Sequence, residues 1–231
     1  MKRINFELNV TLACNLACPN CNRHCHLRPE WGENTDLQTD RVECFVAELH
    51  RGPVKAKRVK IAGGEPLLNQ HLDAILAILA EGIDQGVIQY VKIDSNGSVP
   101  NWVEFKHPRI RWSGRRPARK RHLPTLWSPT DLGLPITYPC SMPRICGMSL
   151  DNLGYLPCSG AIAIVRTFGL LQMYRTHLAT ATWTTDEMME LCKHCVFAAP
   201  KAWKDKHCKP LAEITLPDME PTTTWRKALY S

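Results

Sequence analysis

Three cysteines crowd the eight residues from Cys14 through Cys18 to Cys21, and they come directly after a stretch built to be a strand. Ile4-Asn5-Phe6-Glu7-Leu8-Asn9-Val10 alternates apolar and polar side chains, the period of a half-buried strand. The thiols therefore lie on a loop that leaves the C-terminal end of that strand. Three thiolates on one short loop can bind three irons of a cubane iron–sulfur cluster and leave the fourth iron without a protein ligand. The same residues, followed by His24, Cys25 and His26, also have the composition of a zinc knuckle.

The chain then repeats strand and helix. A helix is expected from about Thr39, with Asp40 in its first turn and Val42, Phe45, Val46 and Leu49 on its buried face. Arg58 to Ala62 reads as a second strand, ending in Gly63-Gly64-Glu65-Pro66. A helix from an Asn69 cap to Glu81 follows, and Val87 to Ile93 reads as a third strand, ending in Asp94-Ser95-Asn96-Gly97. This β-α-β-α-β order implies a parallel sheet with right-handed crossovers. Parallel strands all end on one edge, so the cysteine loop, Gly63–Pro66 and Ser95–Gly97 should meet there. Two glycines let a backbone approach a ligand, and Glu65 would bring an acceptor to it.

Taken in order, these motifs resemble the radical S-adenosylmethionine (SAM) enzymes. The resemblance implies an α/β fold, a partial parallel β/α barrel, here shortened, because only residues 1–139 precede the next cysteine group. It implies a [4Fe-4S] cluster on Cys14, Cys18 and Cys21. The open iron would chelate SAM, and one electron would cleave it to a 5'-deoxyadenosyl radical that takes a hydrogen atom from a substrate. The motif Gly63, Gly64, Glu65, Pro66 matches the family's contact to the SAM amino group. Ser95, Asn96 and Gly97 are similar to the turn lining its pocket. The position before the third cysteine, usually aromatic in the family and on the adenine side, is Asn20 here.

Residues 140–231 hold Cys140, Cys146, Cys158, Cys192, Cys195 and Cys208. Asp151-Asn152-Leu153-Gly154 is a turn signal, so residues 148–156 should form a hairpin. Thr184 and Glu187 form a capping box that starts a helix leading to Cys192-Lys193-His194-Cys195. This order resembles the cysteine-rich auxiliary-cluster extension of the SPASM and twitch subfamilies. It implies one further [4Fe-4S] cluster on Cys158, Cys192 and Cys195, with Cys140 preferred to Cys146 as the fourth ligand and Cys208 spare. A zinc site on the same thiols is the alternative.

Eleven cysteines after a Met-Lys-Arg start that leads straight into a strand point to a cytoplasmic, metal-using protein, and no run of about eighteen apolar residues offers a membrane span. The net charge is +7, and the seven cations of residues 109–122 account for it: Arg109, Arg111, Arg115, Arg116, Arg119, Lys120 and Arg121. Such a run attracts polyanions, and Trp112 and Trp127 could stack on bases. DNA or RNA is the expected partner, and modification or isomerisation of a base substituent the expected reaction. Phage-type thymidine hypermodification is one candidate within the family. A peptide substrate and a non-catalytic zinc-stabilised nucleic-acid-binding protein are the alternatives. The radical chemistry would also need a flavodoxin- or ferredoxin-like electron donor.

Overall fold

The structure is a computed structural model in which residues 1–27, 35–100, 105–113, 121–210 and 213–230 are described. The alternating stretch forms β1 (Lys2–Asn9), and α1 (Thr39–Arg51), β2 (Val54–Ala62), α2 (Leu72–Asp84), β3 (Val91–Asp94) and β4 (Ile110–Ser113) follow in the expected order. All four strands run parallel, with β1 bonded to β2, β2 to β3 and β3 to β4.

Periodicity explains how these elements seat. Phe6 and Leu8 of β1, Val59 and Ile61 of β2, and Val91 and Ile93 of β3 point to one face and are fully buried there. The stripe Val42, Phe45, Val46 and Leu49 of α1 closes on that face, beside Leu72, Ile75, Leu76 and Leu79 of α2. Each such side chain contributes about 1.5–3 kcal/mol by leaving water. Cys44 faces outward on α1 and is exposed.

Several elements depart from the expected bounds, β2 among them, which starts at Val54, ahead of Arg58. The helix after Gly63–Pro66 starts three residues later than Asn69, because the Asn69 side chain is used elsewhere. Its Nδ2 donates to the carbonyls of Val10 (2.6 Å) and Leu37 (3.3 Å), while its Oδ1 accepts from His71 N (2.7 Å). The third strand is shorter than 87–93. The register of β2 on β1 skips Lys57, and β3 pairs continuously with β2 only from Val91. Ile88 is left as a single bridge to Ala56.

The cysteine-rich segment is joined to the same sheet. The hairpin forms as β6 (Met148–Leu150) and β7 (Tyr155–Leu156), after the two-residue β5 (Arg121–His122) and the short α3 (Met142–Ile145). Its turn is held by Asp151 Oδ1, which accepts from Leu153 N (2.8 Å) and Gly154 N (3.2 Å). Strand β6 runs parallel to β1 on the side away from β2, pairing Phe6 with Met148 and Leu8 with Leu150. The sheet order is β4-β3-β2-β1-β6-β7, an open sheet with five parallel strands and one antiparallel edge. The remaining chain folds as α4 (Ala161–Thr167), α5 (Thr185–Cys192), α6 (Lys201–His207), β8 (Lys209–Pro210), α7 (Leu216–Met219) and α8 (Thr223–Tyr230). The Thr184–Glu187 capping box is present at the start of α5. A second core gathers Leu12, Leu156, Ile162, Val165, Leu191 and Trp225. Among the described residues no helix is long and apolar enough to cross a membrane.

Seating β6 on β1 depends on Gly147. Its φ is +100°, and a Cβ there would meet the Asn5 carbonyl oxygen at 2.1 Å. Gly147→Ala should cost at least about 2 kcal/mol, lowering the melting temperature by roughly 4–8 °C. Gly86→Ala, equally left-handed at φ +76° but with open space around it, should cost only about 1 kcal/mol. Thermal unfolding of the two variants at equal metal loading reads the difference, and equal losses would mean that β6 is not held against β1.

Candidate functional site

The loops after β1, β2 and β3 meet at one end of the sheet, as their parallel order requires. Val10 N donates to Ala62 O (2.8 Å), Gly64 N to Thr11 O (2.7 Å) and Glu65 N to Ala13 O (2.8 Å). The pairing of β1 with β2 thus continues past both strands and lays Gly63–Glu65 along the cysteine loop. The two glycines also meet a demand of the backbone itself. A Cβ on Gly63 would meet Thr11 O at 2.1 Å, and one on Gly64 would meet Ala13 O at 1.9 Å. The glycines are required by the neighbouring backbone.

Glu65 then ties in the third loop. Its carboxylate is fully buried and accepts from Leu67 N (3.2 Å), Ser95 Oγ (2.8 Å) and Asn96 N (2.7 Å). Asn96 Nδ2 donates to Asn15 Oδ1 (3.0 Å), and Asn15 Nδ2 donates to Ser98 Oγ (2.8 Å). Gly97 N donates to Ser95 Oγ (3.0 Å). Asn15 and Ser98 were not singled out in the sequence, although Asn15 stands beside Cys14. Pro66 opens a short 3₁₀ turn and is buried.

Cys14, Cys18 and Cys21 are grouped closely enough that Cys18 and Cys21 both act on the Cys14 thiol, as does Glu65. Burial raises Cys14 above the ordinary thiol value. A hydrogen bond from Cys25 holds Cys21 well below it. Cys14 and Cys21 are half-buried and Cys18 is exposed. An open cleft of about 500 Å³ runs beside Cys14, lined also by Leu12, Asn15, Leu16, Cys25 and Leu68 among others. Asn20, before Cys21, has φ +55°, and its Oδ1 is buried with no hydrogen-bond partner. Among the described residues no three His, Cys, Asp or Glu side chains converge on a point that would hold a single metal ion. A cubane cluster makes a different demand, since each thiolate reaches its own iron. Three grouped thiols, with Cys14 on an open cleft, fit that demand.

The second cysteine group also comes together. Cys140 acts on Cys158, Cys192 and Cys195, and Cys158 acts on Cys192. Burial, with the neighbouring thiols, pushes Cys192 and Cys195 up to about 12. Cys146 lies elsewhere. It stands just before β6, where its carbonyl accepts from Arg58 Nη2 (3.2 Å), and it acts on Arg23 and Lys60. Cys208 follows α6 and is half-buried.

Between the groups lies a set of charges on the inner face of the sheet. Glu7 is fully buried and paired with both Arg23 and Lys60. Arg23 Nε donates to Asn9 Oδ1 (2.7 Å), and Asn9 Nδ2 donates to Ser149 Oγ (2.6 Å). Burial lowers Arg23 from its ordinary value, while the thiols of Cys25, Cys146 and Cys158 and the Asp94 carboxylate oppose the shift. Removing one partner from such a buried set typically costs about 3–5 kcal/mol. The signal was in the pattern, because Glu7, Asn9, Lys60 and Asp94 occupy the alternate positions to the apolar core residues.

Other candidates are placed differently. His24 is 3% exposed, packs edge-on to Trp225 at 4.8 Å, and is lowered by burial to about 4. His194 stacks on Phe168 at 3.8 Å and is lowered the same way to about 4. Arg109 and Arg111 are exposed, and Trp112 packs against the main core. Trp127 is 6.0 Å from Trp203, and its Nε1 donates to Glu220 O. Arg115, Arg116, Arg119 and Lys120 lie outside the described residues.

No known family model and no curated protein matches the chain. Among solved structures, it is similar to the crystal structure of BtrN in complex with AdoMet and 2-DOIA, at 15% identity and a TM-score of 0.44, over 85% of this chain and 94% of that one. It is also similar to Streptococcus suis SuiB bound to S-adenosylmethionine, at 17% identity and a TM-score of 0.36, over 48% of this chain. The match spans 23% of the length of SuiB.

Glu65→Ala should release the Ser95–Ser98 loop from the cysteine loop. Loss of a hydrogen bond to a charged acceptor is worth about 1.5–3 kcal/mol, so amide exchange at Asn96 should speed up by roughly 10–100-fold. Exchange measured by NMR or mass spectrometry tests this, and unchanged protection would remove Glu65 from its bridging position.

Proposed function

We propose that this chain is a radical SAM enzyme. The observation that carries the reading is the joining of three loops at one sheet edge, with Glu65 bonded to the Ser95–Gly97 loop and acting on Cys14. Cys14, Cys18 and Cys21 would hold a [4Fe-4S] cluster, and the adjacent cleft would take SAM. When bound, the cluster supplies the electron that cleaves SAM. Glu65 would meet the SAM amino group, as the resemblance implies, and its bonds to Ser95 and Asn96 fix its carboxylate. Asn20 presents an unsatisfied acceptor on the side assigned to adenine. The first unit of the chain, residues 1–139, would be the shortened radical SAM barrel.

Residues 140–231 would carry an auxiliary [4Fe-4S] cluster on Cys140, Cys158, Cys192 and Cys195. The support is that Cys140 acts on each of the other three, whereas Cys146 acts on Arg23 and Lys60 instead. Zinc on the same four thiols is the competing assignment. The substrate would lie against the inner charged face, between the two cysteine groups. A nucleic acid carrying the reactive base substituent is the class favoured by the cations of residues 109–122, with a peptide as the second reading. Electrons would come from a flavodoxin- or ferredoxin-like donor in the cytoplasm.

Anaerobic reconstitution with iron and sulfide should give about eight irons per chain, and dithionite with SAM should give 5'-deoxyadenosine. Cys14→Ala, Cys18→Ala or Cys21→Ala should abolish that product and lose about four irons. Tightly held zinc with no deoxyadenosine would overturn the enzyme reading. Binding to DNA should weaken linearly with the logarithm of salt, and Arg109→Ala with Arg111→Ala should lower the slope by about 2. A salt-independent interaction would remove nucleic acid as the substrate class.

A further inference from the structure

The cysteine loop does not end with its third thiol. Cys25 follows Cys21 with the same three-residue spacing that separates Cys14 from Cys18. The radical SAM reading needs three ligands and leaves Cys25 without a task. Its position is nonetheless specific. Its thiol hydrogen-bonds Cys21, and Cys21 and Cys14 both act on it electrostatically. It lines the same cleft as Cys14, although only 5% of its surface is exposed.

The backbone brings it there by a repeated device. His24 N donates to Cys21 O (3.2 Å), and Leu27 N donates to His24 O (2.9 Å), so the chain winds in successive tight turns. The two non-glycine residues with positive φ among the described residues are Asn20 and His24, both at +55°. Each directly precedes a cysteine, Cys21 in one case and Cys25 in the other. A left-handed non-glycine residue costs on the order of 1–3 kcal/mol, and such strain persists where the surroundings enforce it. His24 is fixed by burial against Trp225, and its turn sends Cys25 back toward Cys21. A cysteine needed only for packing would not require that turn.

We propose that Cys25 is a fourth, displaceable thiolate ligand at the first cysteine site, closing the iron that Cys14, Cys18 and Cys21 leave open until SAM enters the cleft. This rests on the radical SAM reading of that site. Four thiolates complete the ligand set of a cubane cluster, and the cleft beside Cys25 leaves room for an incoming chelating group to displace it. Closure would protect the cluster from solvent and oxidants while no SAM is bound. The thiolate takes up a proton when it leaves the iron, so exchange involves no change of oxidation state. SAM would bind an open form that is only fractionally populated, and its apparent affinity would be reduced by that fraction.

The test compares the anaerobically reconstituted wild-type chain with Cys25→Ala and with the nearly isosteric Cys25→Ser. Iron content should be the same in all three. Without SAM, the electron paramagnetic resonance spectrum of the dithionite-reduced protein should differ between wild type and both variants. With saturating SAM the three spectra should converge. The dissociation constant for SAM should tighten about tenfold in Cys25→Ala, as expected where the closed form holds nine-tenths of the population. Identical spectra without SAM, together with equal SAM affinity, would overturn the proposal and leave Cys25 as a hydrogen-bonding neighbour. Failure of the underlying reading has a separate signature, since Cys14→Ala and Cys18→Ala would then keep the full iron content. If Cys25→Ala does not fold, Cys25→Ser carries the comparison alone, read by the same spectra and affinity.

Discussion

The contact on which the site depends is between two stretches of backbone. Gly63 and Gly64 lie so close to Thr11 and Ala13 that no side chain fits between them. Because of that approach, the ladder between β1 and β2 runs on past the strands as far as Ala13, where the cysteine loop begins. Glu65 follows in sequence and is delivered into the interior, where its carboxylate gathers the loop after β3. Substituting either glycine would therefore act on thiols several residues away, through main-chain position alone. The start of the cysteine loop is set by ladder hydrogen bonds that reach Ala13, one residue before Cys14.

The inner face of the sheet follows from the same alternation. Each strand sends one set of side chains to the helices and the other to the opposite side, where Glu7, Asn9, Lys60 and Ser149 are bonded into one charged set with Arg23. Arg23 comes from the cysteine loop itself, so the loop and the sheet interior are electrostatically joined. Buried ion pairs cost several kcal/mol per ion in desolvation, and a sheet with no use for polarity would be better served by apolar residues there. The arrangement places fixed charge between the two groups of cysteines.

Much of this was legible in the sequence because local rules agreed with the global fold. The alternation in β1, the stripe on α1, the turn at Asp151–Gly154 and the box at Thr184–Glu187 each act over a few residues. Strand order then placed three loops together without reference to any side chain. What was not legible is non-local. Nothing near Asn69 shows that its amide will be drawn to Val10 and Leu37, 59 and 32 residues away. Nothing near Met148 shows that its strand will lie beside β1. The same placement carries Cys146, just before β6, toward the charged interior. The glycines signal in sequence that a backbone must come close, but not that Thr11 and Ala13 are what it comes close to.

The seat of β6 beside β1 has a consequence for the order in which the molecule can be made. Strand β1 leaves the ribosome well before its outer partner, which begins at Met148. For most of synthesis the first strand has β2 on one side and an unpaired row of amide and carbonyl groups on the other. Such an edge is a template for pairing with foreign strands until its own arrives, and pairing over that separation is slow because the loop must close first. The exposed positions of β1 near its start, Lys2 and Arg3, carry charge, which discourages strand addition at that end. A nascent chain stalled before residue 148 would be aggregation-prone in a way that the finished protein is not.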